Sequence, residues 1–148
     1  MPWFEGTHSE TRTLPVDAST LIAHLQDPNT MIAATKGLEN ASVSDGVVHF
    51  VMKEEDHGVV KFKGEYHCRY EPIEDGVRWT SLDGGNLDQS GEATVRALDE
   101  GCELTYRETV KIDLGVPSMM APMLKPVIGP MMANEVKDFV KRLVAGVP

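Results

Sequence analysis

The sequence predicts an α+β fold, in which a curved seven-stranded antiparallel sheet wraps around a long C-terminal helix, in the order strand, two helices, six strands, helix. Three observations predict it. Turn-forming residues punctuate the middle of the chain at short intervals, the segments between them alternate apolar and polar residues, and the chain closes on a single helical apolar stripe.

The first strand is Trp3–Leu14, rich in threonine and aromatic residues and closed by Pro15. Asp17 then caps a helix whose Ala18, Leu21, Ile22 and Leu25 recur at i, i+3, i+4, i+7 and which Pro28 ends. A short second helix takes Asp27 as cap and Pro28 as first residue, buries Met31 and Ile32, and stops at Gly37. Asp45-Gly46, Asp75-Gly76, Asp83-Gly84-Gly85 and Asp99-Glu100-Gly101 are hairpin signals, because tight turns need the positive φ that these residues tolerate. They delimit strands at 39–44, 47–53, 59–71, 77–82, 87–98 and 102–114.

Alternation decides which way the side chains point. Within 59–71 one face carries Val60, Phe62, Gly64, Tyr66, Cys68 and Tyr70, and the other Lys61, Lys63, Glu65, His67 and Arg69. Within 102–114 the inner set is Cys102, Leu104, Tyr106, Glu108, Val110, Ile112 and Leu114, and every outer residue is polar. The inner set of 87–98 is mostly small, with Gly91, Ala93 and Ala97 beside Leu87, Gln89 and Val95. At the C-terminus, Met132, Val136, Phe139, Val140, Leu143 and Val144 form the helical stripe, opposite Lys137, Asp138, Lys141 and Arg142. Pro117, Pro122, Pro126 and Pro130 precede it, and an interior proline costs a helix about 3 kcal/mol, so the regular helix is expected over 130–145 and the segment before it kinked or partly helical.

Geometry then requires a cavity. Strands of a dozen residues at about 3.3 Å each span roughly 40 Å, and seven of them make a sheet roughly 30 Å wide. One helix is only about 10 to 12 Å across. The sheet must therefore curl around it, and the small inner residues leave the enclosed volume incompletely filled. The expected lining is Phe62, Tyr66, Trp79, Tyr106, Glu108, Met120, Met123, Leu124, Val127 and Met131.

The opening Phe4-Glu5-Gly6-Thr7 strand, Leu104-Thr105-Tyr106 in the last long strand, and Val116-Pro117 leading into the closing helix resemble the START-like (SRPBCC) superfamily over essentially the whole chain, taken as one domain, 1–148. The resemblance implies the helix-grip fold, with a sheet gripping the C-terminal helix around a cavity for apolar ligands. The superfamily includes lipid-transfer domains, pollen-allergen-like proteins, polyketide cyclases and an accessory protein of carbon monoxide dehydrogenase, so it leaves the ligand open.

Composition excludes several other functions. The 148 residues are 41% hydrophobic and 25% charged, ordinary for a globular protein. A formal charge of −9 repels phosphate backbones, so nucleic acid is not an expected partner. No apolar run reaches the roughly 20 residues that membrane insertion needs. Neither a basic region nor an apolar stretch opens the chain, and Cys68 and Cys102 form no spaced framework, which together predict a cytoplasmic protein with free thiols. His8, His24, His49, His57 and His67 lie on separate elements without metal-ligand spacing, and no Gly-rich phosphate or dinucleotide motif is present, so neither a metal nor a cofactor is expected.

Glu108 is the one formally charged residue among the inner positions of its strand. It is either returned to solvent by a bulge, paired with an arginine, or turned toward a cavity as ligand anchor or acid-base group. Met119, Met120, Met123, Met131 and Met132 gather adaptable thioether side chains in the proline-rich segment, as at a portal or a partner surface. The leading function is non-catalytic binding or carriage of a hydrophobic or amphipathic small molecule. The alternatives are a polyketide cyclase or dehydratase type of enzyme using Glu108 with Tyr66 or Tyr106, and an accessory module docking a protein through 119–132.

Overall fold

A computed structural model of the chain describes residues 3–56, 58 and 60–148; His57, and Val59 at the expected start of the strand at 59–71, lie outside these described residues. The elements are β1 (Trp3–Leu14), α1 (Ala18–Gln26), α2 (Pro28–Ala34), β2 (Leu38–Ser44), β3 (Val47–Met52), β4 (Glu55–Asp56), β5 (Lys61–Phe62), β6 (Glu65–Ile73), β7 (Gly76–Ser81), β8 (Leu87–Ala97), β9 (Cys102–Asp113) and α3 (Ala121–Ala145).

The main sheet has seven strands in the order β1-β9-β8-β7-β6-β3-β2, antiparallel throughout. Its β2–β3 turn needs positive φ at two successive residues, and Asp45 and Gly46 supply it at 51° and 76°. β1 pairs with β9 along its whole length, from Trp3↔Asp113 to Leu14↔Cys102. Asp27 caps α2, its side chain accepting from the Asn29 N–H at 2.9 Å. Asp17 sits at the start of α1 but makes no side-chain cap there; only its backbone carbonyl takes the first helical bond, from the Leu21 N–H.

Two expectations are corrected. The strand at 59–71 is broken: β5 pairs with β4 in a separate small sheet, and only β6 joins the main one. Asn86 holds the break, accepting from the Glu65 N–H at 2.9 Å and donating to the Lys63 carbonyl at 2.8 Å, side-chain bonds where ladder bonds would continue the strand.

The C-terminal helix begins at Ala121 rather than near Pro130, and runs through Pro126 and Pro130. Ala121, Leu124, Ile128, Met132, Val136, Val140 and Leu143 form one continuous buried stripe. Pro122, Pro126 and Pro130, four residues apart, all lie on the exposed face, where water can satisfy carbonyls that have lost their partners. Burial along the whole stripe therefore outweighs the local cost of the prolines.

α3 packs against β1 at very close range. A Cβ on Gly6 would lie 2.8 Å from both the Gly129 carbonyl oxygen and the Met132 Cβ, so the crossing requires glycine. Beyond it, Phe4, Ile112, Val116, Ala121, Leu124, Ile128 and Met132 make one apolar cluster, and the larger cluster gathers residues such as Leu21, Phe50, Leu104, Tyr106, Val140 and Leu143. Leu87 and Val110 touch both. The cavity opens where the two clusters meet.

Candidate functional site

Four residues in one cross-strand row build the centre of the site. Glu108 on β9 pairs with Gly91 on β8, Gly91 with Trp79 on β7, and Trp79 with Tyr70 on β6. Because Gly91 carries no side chain, the indole of Trp79 lies across β8 and reaches Glu108; a Cβ on Gly91 would stand 2.6 Å from the indole Cζ2. The Trp79 Nε1–H donates to Glu108 Oε2 at 2.8 Å, and the Tyr106 hydroxyl donates to Oε1 at 3.1 Å. Trp79 and Tyr106 also pack ring to ring, their centroids 5.4 Å apart.

Glu108 is 5% exposed. Its strand pairs without a bulge on either side, and no arginine pairs with it among the described residues, so it is neither returned to solvent nor ion-paired. Burial pushes its pKa up to about 7, and the two donated hydrogen bonds only partly oppose that shift. The carboxyl therefore exchanges a proton near neutral pH.

Glu108 lines a cavity of about 180 Å³ enclosed by the concave face of the sheet, α2 and the C-terminal half of α3. Phe62, Tyr66, Tyr70, Trp79, Tyr106 and Phe139 give it aromatic walls, and Met31, Met52, Met131 and Met132 give it flexible apolar ones. Gln89 and Tyr70 are a second polar handle, the amide donating to the phenol oxygen at 3.1 Å. Lys36, Lys53 and Glu55 are exposed lining residues that mark the mouth.

Of the ten residues singled out in the sequence, Phe62, Tyr66, Trp79, Tyr106, Glu108 and Met131 line this cavity, and Met120, Met123, Leu124 and Val127 do not. Leu124 is buried in the cluster beyond the β1 crossing, with Met120 packed on it. Met123 and Val127 are 74% and 63% exposed, on the outer face of α3 beside Met119 at 83%. The early start of the helix explains the displacement: its first turns cover that second cluster, and only from Met131 onward does it face the cavity.

Tyr70, Gln89 and Val110 were legible as lining, since each shares the inward parity of its strand. Arg142 was not: it belongs by spacing to the polar side of α3, yet its Nε–H donates to the Ala34 carbonyl at 2.7 Å and ties the helix to the end of α2.

Comparison with known proteins bears on the fold. No family model matches the chain, and no curated protein does. Solved structures do match. They include the Zhui aromatase/cyclase from Streptomyces sp. R1128, at 12% identity with 97% of this chain and 93% of that one covered and a TM-score of 0.66. A norcoclaurine synthase mutant of Thalictrum flavum bound to a transition-state analogue matches at 11% identity, 98% and 97% coverage and a TM-score of 0.60. Ara h 8.0201 matches at 14% identity, 97% and 97% coverage and a TM-score of 0.60. The chain shares its fold with these proteins, an antiparallel sheet closed by a long C-terminal helix, which is the helix-grip arrangement expected from the sequence. No helix of the described residues is long and apolar enough to cross a membrane.

Proposed function

We propose that the protein binds a small hydrophobic molecule in this cavity, holding its polar end against Glu108. The observation that carries the reading is a buried carboxyl, without a counter-ion among the described residues, set in an aromatic wall that lines open volume. Folding leaves a desolvated acceptor facing space of ligand size, an arrangement that a purely structural core avoids by packing an apolar side chain there. An engineered apolar cavity of about 150 Å³ takes up benzene, so a volume near 180 Å³ suits one ring with a short substituent. Both cysteines are buried free thiols, which supports a cytoplasmic setting.

A neutral aromatic such as toluene should raise the melting temperature saturably, because it binds only the folded state. Val110→Phe, which fills the lining, should abolish that rise while preserving the fold. An unsaturable or absent response in the wild type would overturn the reading.

A second reading is favoured by one observation. A carboxyl with a pKa near 7 that touches a tyrosine hydroxyl can act as a general acid or base on a bound polar substrate, as in cyclase chemistry.

A further inference from the structure

We infer that the natural ligand is a compact hydrophobic amine, bound as its ammonium ion with Glu108 as the counter-ion and the surrounding rings as its cage. The inference rests on the proposed cavity function and names the ligand class that the polar end selects.

Three features of the wall converge on a cation. Glu108 accepts one hydrogen bond on each oxygen, and a carboxylate offers about four acceptor sites, so capacity remains for N–H donors from the cavity side. Both bonds come from neutral donors, so neither supplies the positive charge that an ionised carboxylate buried to this degree requires. Trp79, Tyr66, Tyr70 and Phe62 line the same cavity, and aromatic rings attract ammonium groups at their faces and repel anions there. Folding has already removed the carboxyl from water, so an incoming ammonium meets a preorganised partner and bears only its own desolvation.

Among the described residues, the cations that line the cavity do not fill this role. Lys36, after α2, and Lys53, after β3, lie at the exposed mouth with Glu55, and Arg142 on α3 is tied to the Ala34 carbonyl. None of them acts on Glu108, whose proton affinity is set by burial and by the bonds from Trp79 and Tyr106. Glu135 also lines the cavity from α3 but is exposed. Tyr66, Tyr70, Tyr106 and Cys68 are all held above their ordinary pKa values by burial, so they stay neutral near pH 7 and Glu108 is the group in the wall that changes charge there. The small volume limits the hydrophobic part to one ring or a short branched chain.

Calorimetric titration with benzylamine and with its neutral isostere benzyl alcohol tests this directly. At pH 8.5 benzylamine should bind at least about tenfold tighter than the alcohol, and the advantage should vanish at pH 5.5, where Glu108 is protonated. At pH 7, titrations in buffers of different ionisation enthalpy should show benzylamine releasing about half a proton per complex, because the ammonium drives a half-protonated carboxyl to ionise. Glu108→Gln should erase both the amine's advantage over the alcohol at pH 8.5 and the proton release at pH 7. The proton count uses the wild type alone, so it decides the matter even if the variant does not fold. Equal binding of amine and alcohol, or no proton release, would overturn the inference while the toluene response still supports a binding cavity. Loss of the toluene response would instead remove the cavity reading itself.

Discussion

Glu108 shows how one buried group couples stability to pH. Its pKa rises from about 4.5 in an unfolded chain to about 7 in the fold. Between those values the unfolded chain is ionised there and the folded one is not, so the contribution is complete below about pH 4.5 and is lost as pH rises through 7. A displacement of that size corresponds to about 3 kcal/mol for a fully buried group. Glu108→Gln is a suitable reference, because its amide oxygen can accept from Trp79 while its N–H groups donate to the Tyr106 oxygen. The stability of the wild type relative to Glu108→Gln should therefore fall by up to about 3 kcal/mol between pH 4.5 and 7.5 in paired urea titrations. A pH-independent difference would show that Glu108 keeps an ordinary carboxyl pKa. Taking the difference cancels Glu10, whose pKa is lowered by its bonds to His8 and Arg12 despite partial burial and whose own contribution has the opposite sign. The sequence marked Glu108 as inward by parity alone; its two donors were hidden, because Trp79 stands two strands away and reaches it only across a glycine.

That glycine belongs to the scale of elements. A Cβ on Gly91 would come within 2.3 Å of the Arg107 carbonyl as well as meeting the Trp79 ring, and the backbone cannot yield as a flexible side chain would. Gly91→Ala should destabilise the protein by about 1 to 3 kcal/mol and shift the Trp79 emission as the indole leaves Glu108. An unchanged emission spectrum would mean that Gly91 does not hold the row open. In the sequence the small residues of β8 read as leaving the enclosed volume unfilled, but Gly91, Ala93 and Ala97 do not line the cavity: Gly91 admits the Trp79 ring and Ala97 is exposed. α3 teaches the complementary lesson. Each proline weighed singly argues against a helix, whereas their four-residue spacing places them together on the solvent face. Pro126→Ala restores a backbone donor to the Pro122 carbonyl at an exposed position, and should stabilise the fold by about 1 to 3 kcal/mol in chemical denaturation. A loss of stability would show that the helix needs a bend there to reach Gly6.

For the whole molecule, the antiparallel meander and a closing C-terminal helix follow from turn punctuation, period-two alternation and one helical stripe, which need only local chemistry, whereas the pairing of β1 with β9 does not. The position of the cavity along the helix needed more: it depends on where α3 crosses β1, set by the contact between Gly6 and Gly129, residues 123 positions apart in the chain. Six methionines report where the cavity lies. Met31, Met52, Met131 and Met132 line the cavity, and Met119 and Met123 stand in solvent. Methyl-labelled methionine NMR therefore reads the central claim residue by residue. Titration with toluene should move the Met31, Met52, Met131 and Met132 methyl signals along one saturable curve and leave Met119 and Met123 in place. Shifts confined to Met119 and Met123, or no saturable shift at any methyl, would contradict it.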